Sequence, residues 1–228
     1  MRRQRNDEYR PPPVHETATL VVVLGLSDNS IPQSSVAVDS QIVADHLAWP
    51  SSTNPLVVEA GTRLLQIQDS GSTMSGTILN ASVTLSANAH YTLVKDGIGF
   101  TQVWVLFTDD TTPPGGTNAK LRVINAAMTQ QGPVDVYVMP GGMTPSGTPS
   151  LTGLIFNGNP GVMPPYQLFP SGAYDVFFTT AGTTQVLYHT GAILLAANQT
   201  STVILLNLCT AGGGCDLAGP FASLMVAD

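Results

Sequence analysis

Apolar residues in this chain recur every second position or gather in short blocks, and no stretch of eleven or more keeps the period of a helix. Thr19-Leu20-Val21-Val22-Val23-Leu24 is an apolar run of the length of a buried strand. Ser35-Val36-Ala37-Val38-Asp39 and Leu65-Gln66-Ile67-Gln68 alternate, as do Val83-Thr84-Leu85-Ser86 and Tyr91-Thr92-Leu93-Val94. Val103-Trp104-Val105-Leu106-Phe107 follows. Between these runs stand turn formers: Ser27-Asp28-Asn29, Ala60-Gly61, Asp69-Ser70-Gly71-Ser72, Ala87-Asn88 and Asp96-Gly97. Short strands at this spacing predict an all-β sandwich or barrel.

The pattern then breaks at Asp109-Asp110-Thr111-Thr112-Pro113-Pro114-Gly115-Gly116-Thr117 and begins again. Leu20-Val21-Val22-Val23 answers to Leu121-Arg122-Val123-Ile124, and Val36-Ala37-Val38-Asp39 to the run Val134-Asp135-Val136-Tyr137-Val138. Val58-Glu59-Ala60-Gly61-Thr62 answers to Phe169-Pro170-Ser171-Gly172-Ala173, and Thr84-Leu85-Ser86-Ala87-Asn88 to Leu194-Leu195-Ala196-Ala197-Asn198. Thr92-Leu93-Val94 answers to Thr202-Val203-Ile204, and Gln102-Val103-Trp104-Val105 to Ala222-Ser223-Leu224-Met225. Landmarks in the same order predict an internal duplication, with one insertion around residues 141–152. The expected organisation is an extended arm over 1–17, a first β domain over 18–109, a linker over 110–117 and a second β domain over 118–228.

Composition agrees with strands and turns: 43% of the 228 residues are hydrophobic, only 10% are charged, and Gly and Pro number 22 and 17. The net charge is −7. Arg2, Arg3, Arg5 and Arg10 are four of the eight cations; from residue 11 onward the others are Arg63, Lys95, Lys120 and Arg122, against thirteen acids. Such a body has no electrostatic footprint for nucleic acid. The apolar runs are far shorter than the roughly 20 residues of a transmembrane helix. Pro11-Pro12-Pro13 excludes a helix in the arm and favours an extended chain. The first ten residues are basic and lack the apolar core of a secretory leader.

Few residues suggest chemistry. Cys209 and Cys215 flank Thr-Ala-Gly-Gly-Gly, a spacing suited to a disulfide pinning a loop and worth roughly 2 kcal/mol by chain entropy. Such a bond belongs to an oxidising compartment. No Cys or His lies nearby in sequence to complete a metal site. His15, His46, His90 and His189 have no partner at metal-ligand spacing, and no Gly-x-Ser-x-Gly elbow or P-loop is present. Asp109 and Asp110 could attract calcium, but two carboxylates are a thin set for that ion, and solvated linker acids are the plainer reading. Asn80 and Asn198 begin glycosylation sequons. Trp49 and Tyr166 offer a sugar-stacking alternative to core filling.

The phrases Ala119-Lys120-Leu121-Arg122-Val123-Ile124-Asn125-Ala126-Ala127, Val134-Asp135-Val136-Tyr137-Val138 and Pro170-Ser171-Gly172-Ala173-Tyr174-Asp175-Val176 resemble a bacterial family known as "domain of unknown function 4397". The likeness is closest in the second half; the first keeps the shape with fewer of the letters. It implies two tandem immunoglobulin-like β-sandwich domains, export to the cell surface or beyond, and no defined catalytic residues. The expectation is therefore a non-enzymatic extracytoplasmic structural or adhesive protein without cofactors. The poverty of lysine leaves sheet edges unguarded, and the arm, with Arg2, Arg3, Arg5, Arg10, Pro11, Pro12 and Pro13, is placed to dock on a neighbouring copy. A homo-oligomer or surface filament follows as the expected assembly; a carbohydrate- or ligand-binding module is the alternative.

Overall fold

The computed structural model describes residues 16–24, 33–69, 77–96, 103–127, 130, 132–156, 163–207 and 221–228. Among them every regular element is a strand, and none is a helix long and apolar enough to cross a membrane. The first half holds β1 (Thr17–Leu24), β2 (Gln33–Val38), β3 (Gln41–Ala48), β4 (Ser51–Ser52), β5 (Leu56–Glu59), β6 (Gly61–Asp69), β7 (Thr77–Leu85), β8 (His90–Asp96) and β9 (Val103–Asp109). The second holds β10 (Asn118–Asn125), β11 (Val134–Pro140), β12 (Leu151–Leu154), β13 (Gln167–Pro170), β14 (Gly172–Thr180), β15 (Val186–Leu195), β16 (Thr200–Asn207) and β17 (Phe221–Ala227).

These form four sheets. Sheet I runs β4-β1-β8-β9 with β5 also on β1, and sheet II runs β3-β2-β6-β7. Sheet III runs β13-β10-β16-β17, and sheet IV β12-β11-β14-β15. Each sheet is drawn from one half of the chain. In sheets I and III the central pair is parallel, β1 with β8 and β10 with β16. The sandwich is as expected, but its strand order is not that of an immunoglobulin constant domain, whose first two strands share a sheet. Here β1 and β2 lie in opposite sheets.

Three apolar layers hold the sheets together. Leu20, Val22, Tyr91 and Leu93 of sheet I meet Val36, Leu65, Ile67, Val83 and Leu85 of sheet II. Leu121, Val123, Val203 and Leu205 of sheet III meet Val136, Val176 and Phe178 of sheet IV. A third layer joins the halves: Val21, Val23, Val94, Val105 and Phe107 pack with Ile124, Ala126, Ile204, Leu206 and Val226. Odd and even residues of β1 thus enter different cores, as strand geometry requires. The sheets stack in the order II–I–III–IV. The central strands are buried on both faces, which is why residues 20–24 and 203–206 read as unbroken apolar runs.

Pairing registers correct two of the alignments between halves. Val36 lies opposite Ile67 and Val136 opposite Phe178, each six residues after the glycine that opens its strand, so Val36 answers to Val136 rather than Val134. Tyr91 faces Thr108 and Ser201 faces Ala227, so Val103, not Gln102, answers to Ala222. A single-residue slip in a strand exchanges its faces, so the distinction decides which side chains meet at the junction. Turns are shared as well: Asn88 and Asn198 take left-handed φ values of 58° and 60°, and their amides donate to Thr17 and Asn118.

Candidate functional site

The most concentrated polar chemistry lies between sheets I and III. Arg122, in the middle of β10, is wholly buried. Its Nη2 donates to Asp109 Oδ1 at 2.5 Å, its Nη1 to the Thr108 carbonyl at 3.2 Å and its Nε to Thr202 Oγ1 at 3.0 Å. The guanidinium lies between two rings, 5.4 Å from Phe107 and 4.7 Å from Tyr166. Asp109 also accepts from Thr92 at 2.9 Å. Asp228 Oδ2 accepts from Thr202 and from the Tyr166 hydroxyl, both at 2.8 Å. Its Oδ1 is buried, accepts no hydrogen bond, and lies 4.0 Å from Arg122 Nη2.

One buried cation therefore serves two buried carboxylates. Burial, followed by the charge of Asp109, raises the Asp228 carboxyl above its ordinary value. Burial likewise pushes the Tyr166 phenol up. The cluster is fully hydrogen-bonded except at Asp228 Oδ1, and it has no open nucleophile; it suits fastening rather than catalysis.

Asp109 is not a solvated linker acid, whereas Asp110 is exposed just after β9, as expected. The first faces Arg122, and the second accepts from Lys120 Nζ at 2.6 Å, which holds its carboxyl down at about 2. Turned to different cations, the two carboxylates do not converge on one ion. No group of three or more metal-ligating side chains occurs among the described residues. Exposed His46 lies 3.1 Å from the carboxylate of Asp45, and His189 stacks on Phe177 with ring centres 5.4 Å apart. Asn80 is exposed but accepts from Gln66, and Asn198 sits in an exposed turn. Tyr166 is spent on Arg122 and Asp228, while half-buried Trp49 belongs to the other half of the chain, so they form no common platform. Cys209 and Cys215 lie outside the described residues, as do Arg2, Arg3, Arg5, Arg10, Pro11, Pro12 and Pro13 of the arm.

A second feature is a groove of about 490 Å³ between the edges β7 and β9, lined by Ser82, Val83, Thr84, Trp104, Val105 and Leu106. The equivalent edges of the second half are bridged instead: Tyr188 on β15 shares a hydrogen bond of 3.1 Å with Ser223 on β17 and meets the Phe221 ring edge-on.

The Val134-Asp135-Val136 phrase also finds a structural use. Asp135 accepts from the amides of Gly153 and Gly182 at 2.8 and 2.7 Å. Both glycines have positive φ, 64° and 75°, so one carboxylate fixes two left-handed turns at the end of sheet IV.

Sequence reasoning missed the junction. Its signal was Arg122 itself, one of four cations after residue 10, set among the apolar residues Leu121, Val123 and Ile124. No curated protein matches the chain. The matched family region runs over residues 19–137, from β1 into β11, so the first half supplies most of it. With just over half of its length so matched, the chain belongs to the family described as "Domain of unknown function (DUF4397)".

Proposed function

We propose that this protein is a non-enzymatic structural or adhesive subunit of the cell exterior, made of two fused copies of one immunoglobulin-like sandwich and assembled into a homopolymer. The observation that carries this reading is the junction. Two sandwiches whose sheets I and III share an apolar layer, pinned by a wholly buried arginine, make a stiff four-layer body rather than beads on a string. Domain interfaces within a chain more often allow relative motion. Stiffness transmits load along a filament.

The edges supply the means of growth. Strands β7, β15 and β17 carry no Lys, Arg, Asp or Glu. Charge is the usual guard against edge-to-edge pairing. Among the described residues β7 and β9 have no further strand neighbours at the groove beside Trp104, a site for an added strand from a neighbouring copy. The arm, which leads into β1 at Thr17, is the segment suited to fill it, its arginines meeting an acidic body. A head-to-tail contact of this kind propagates without closing. A disulfide between Cys209 and Cys215 would fit the same compartment.

The test is assembly by the full chain and by a chain lacking residues 1–17, followed by electron microscopy and light scattering. Filaments from the full chain and monomers from the shortened one are expected. Unchanged assembly after deletion, or monomers from the full chain at high concentration, overturns the proposal.

A further inference from the structure

The face that joins the halves is built twice from the same positions. Val21 stands opposite Thr92 as Arg122 stands opposite Thr202, and Thr92 stands opposite Phe107 as Thr202 stands opposite Val226. On this alignment four pairs of the shared layer coincide: Val23 with Ile124, Val94 with Ile204, Val105 with Leu224, and Phe107 with Val226. The carboxylates coincide as well, Asp109 accepting from Thr92 and Asp228 from Thr202. Each half turns the same patch toward the other, as two subunits do in an isologous contact. The departure that changes the buried charge is Val21 of the first half, which answers to Arg122 of the second.

We propose that this patch is a self-complementary docking surface whose partner is a second sandwich of the same kind, and that the difference between Val21 and Arg122 directs the first half to the second. The charges carry the argument. Two first-half faces brought together would bury two carboxylates with two valines and no guanidinium. Two second-half faces would bring two guanidiniums and two Asp228 carboxylates into the space that now holds one guanidinium, without Asp109, the Thr108 carbonyl or Phe107 to receive them. The mixed pair places a single cation between Asp109 and Asp228 and stacks it between Phe107 and Tyr166. One like pair buries carboxylates without a cation and the other crowds two guanidiniums that have lost their first-half acceptors, and unsatisfied buried charge is a means by which specific interfaces reject wrong partners. The tether at residues 110–117 then raises the local concentration of the halves without being what holds them. This holds whether or not the chain polymerises, because it concerns a face that the polymer contact leaves covered.

The test uses the full chain with a protease site placed between Gly115 and Gly116, where both residues are exposed and open space surrounds them. After cleavage the two fragments are expected to elute together on gel filtration at micromolar concentration; separation into two species overturns the docking surface. In the cleaved chain Arg122→Met is expected to weaken association roughly 100-fold or more, the usual consequence of leaving buried charge unpaired. Adding Asp109→Asn and Asp228→Asn to that variant is expected to recover most of the loss. Melting of the same variants uncut reports whether each half still folds. Unchanged association in Arg122→Met refutes selection by this residue, and failure of the triple variant to recover, with the uncut chain folded, refutes its basis in charge.

Discussion

Replacing Phe107 with alanine tests whether the halves share a core. Phe107 is 1% exposed, and its ring packs with apolar residues from both halves. Truncating a buried phenylalanine costs about 3–5 kcal/mol through lost transfer energy and the cavity left behind. The Arg122 guanidinium, 5.4 Å from the ring centre, also loses one of its two aromatic neighbours. These losses overlap, and about 4 kcal/mol is expected in sum. For a chain of this length that lowers Tm by about 8–16 °C. Urea unfolding followed by two probes locates the damage. Both tryptophans, Trp49 and Trp104, lie in the first half, so fluorescence reports that half alone, while far-ultraviolet circular dichroism reports both. The probes should coincide in the parent chain and separate in Phe107→Ala, because the halves no longer melt as one unit. A loss below about 1 kcal/mol with coincident transitions would refute the packing of sheet I on sheet III.

Three further outcomes follow from individual carboxylates. Asp228 has a raised carboxyl pKa in the fold, so its burial costs stability as pH climbs from the ordinary 3.8 through that raised value; Asp228→Asn should gain on the parent in melting temperature as pH rises, and a constant gap across pH would count against it. Asp110 behaves oppositely: its carboxyl lies at about 2, so the small support it gives is present above 3.8 and is lost as pH falls toward 2. A carbon-detected NMR titration should place its midpoint there, and Lys120→Met should return it toward 3.8. Asp135→Ala strips the acceptor from Gly153 and Gly182, at a cost of about 1–3 kcal/mol; hydrogen exchange at these two amides should accelerate, and unaltered protection would sink the assignment.

Strand positions were legible because alternation and turn residues are local. Leu65-Gln66-Ile67-Gln68 shows both the success and its limit: the leucine and isoleucine face the core as alternation requires, yet Gln66 and Gln68 are only 5% exposed. Gln66 donates to Asn80 on the neighbouring strand, a cross-strand contact that a period of two cannot register. The runs at 20–24 and 203–206 announced burial on both faces, but what covers the second face is a tertiary fact. Asp109 read as a linker acid because its neighbours in sequence are polar; its true neighbours are Thr92 and Arg122, one on the strand beside it and one across the junction. The order of strands within the sheets was equally out of reach, since a parallel partner more than sixty residues away leaves no mark on either strand.

That distant pairing has a consequence for synthesis. Chains emerge N-terminus first, and β1 cannot take its place in sheet I until β8 has appeared beside it. Once Asp109 has emerged, every strand of sheets I and II is available and the first sandwich can close. Its outer face, with Val21, Val23, Val94, Val105 and Phe107, then stands bare until the second sandwich is complete. At about 5–20 residues per second, the interval between residues 109 and 228 lasts roughly 6–24 s. Throughout that time the nascent chain displays an apolar sheet to every other nascent chain beside it. β17, the last of the described strands, brings Leu224 and Val226 to that face, so protection of the first half waits on this strand of the second.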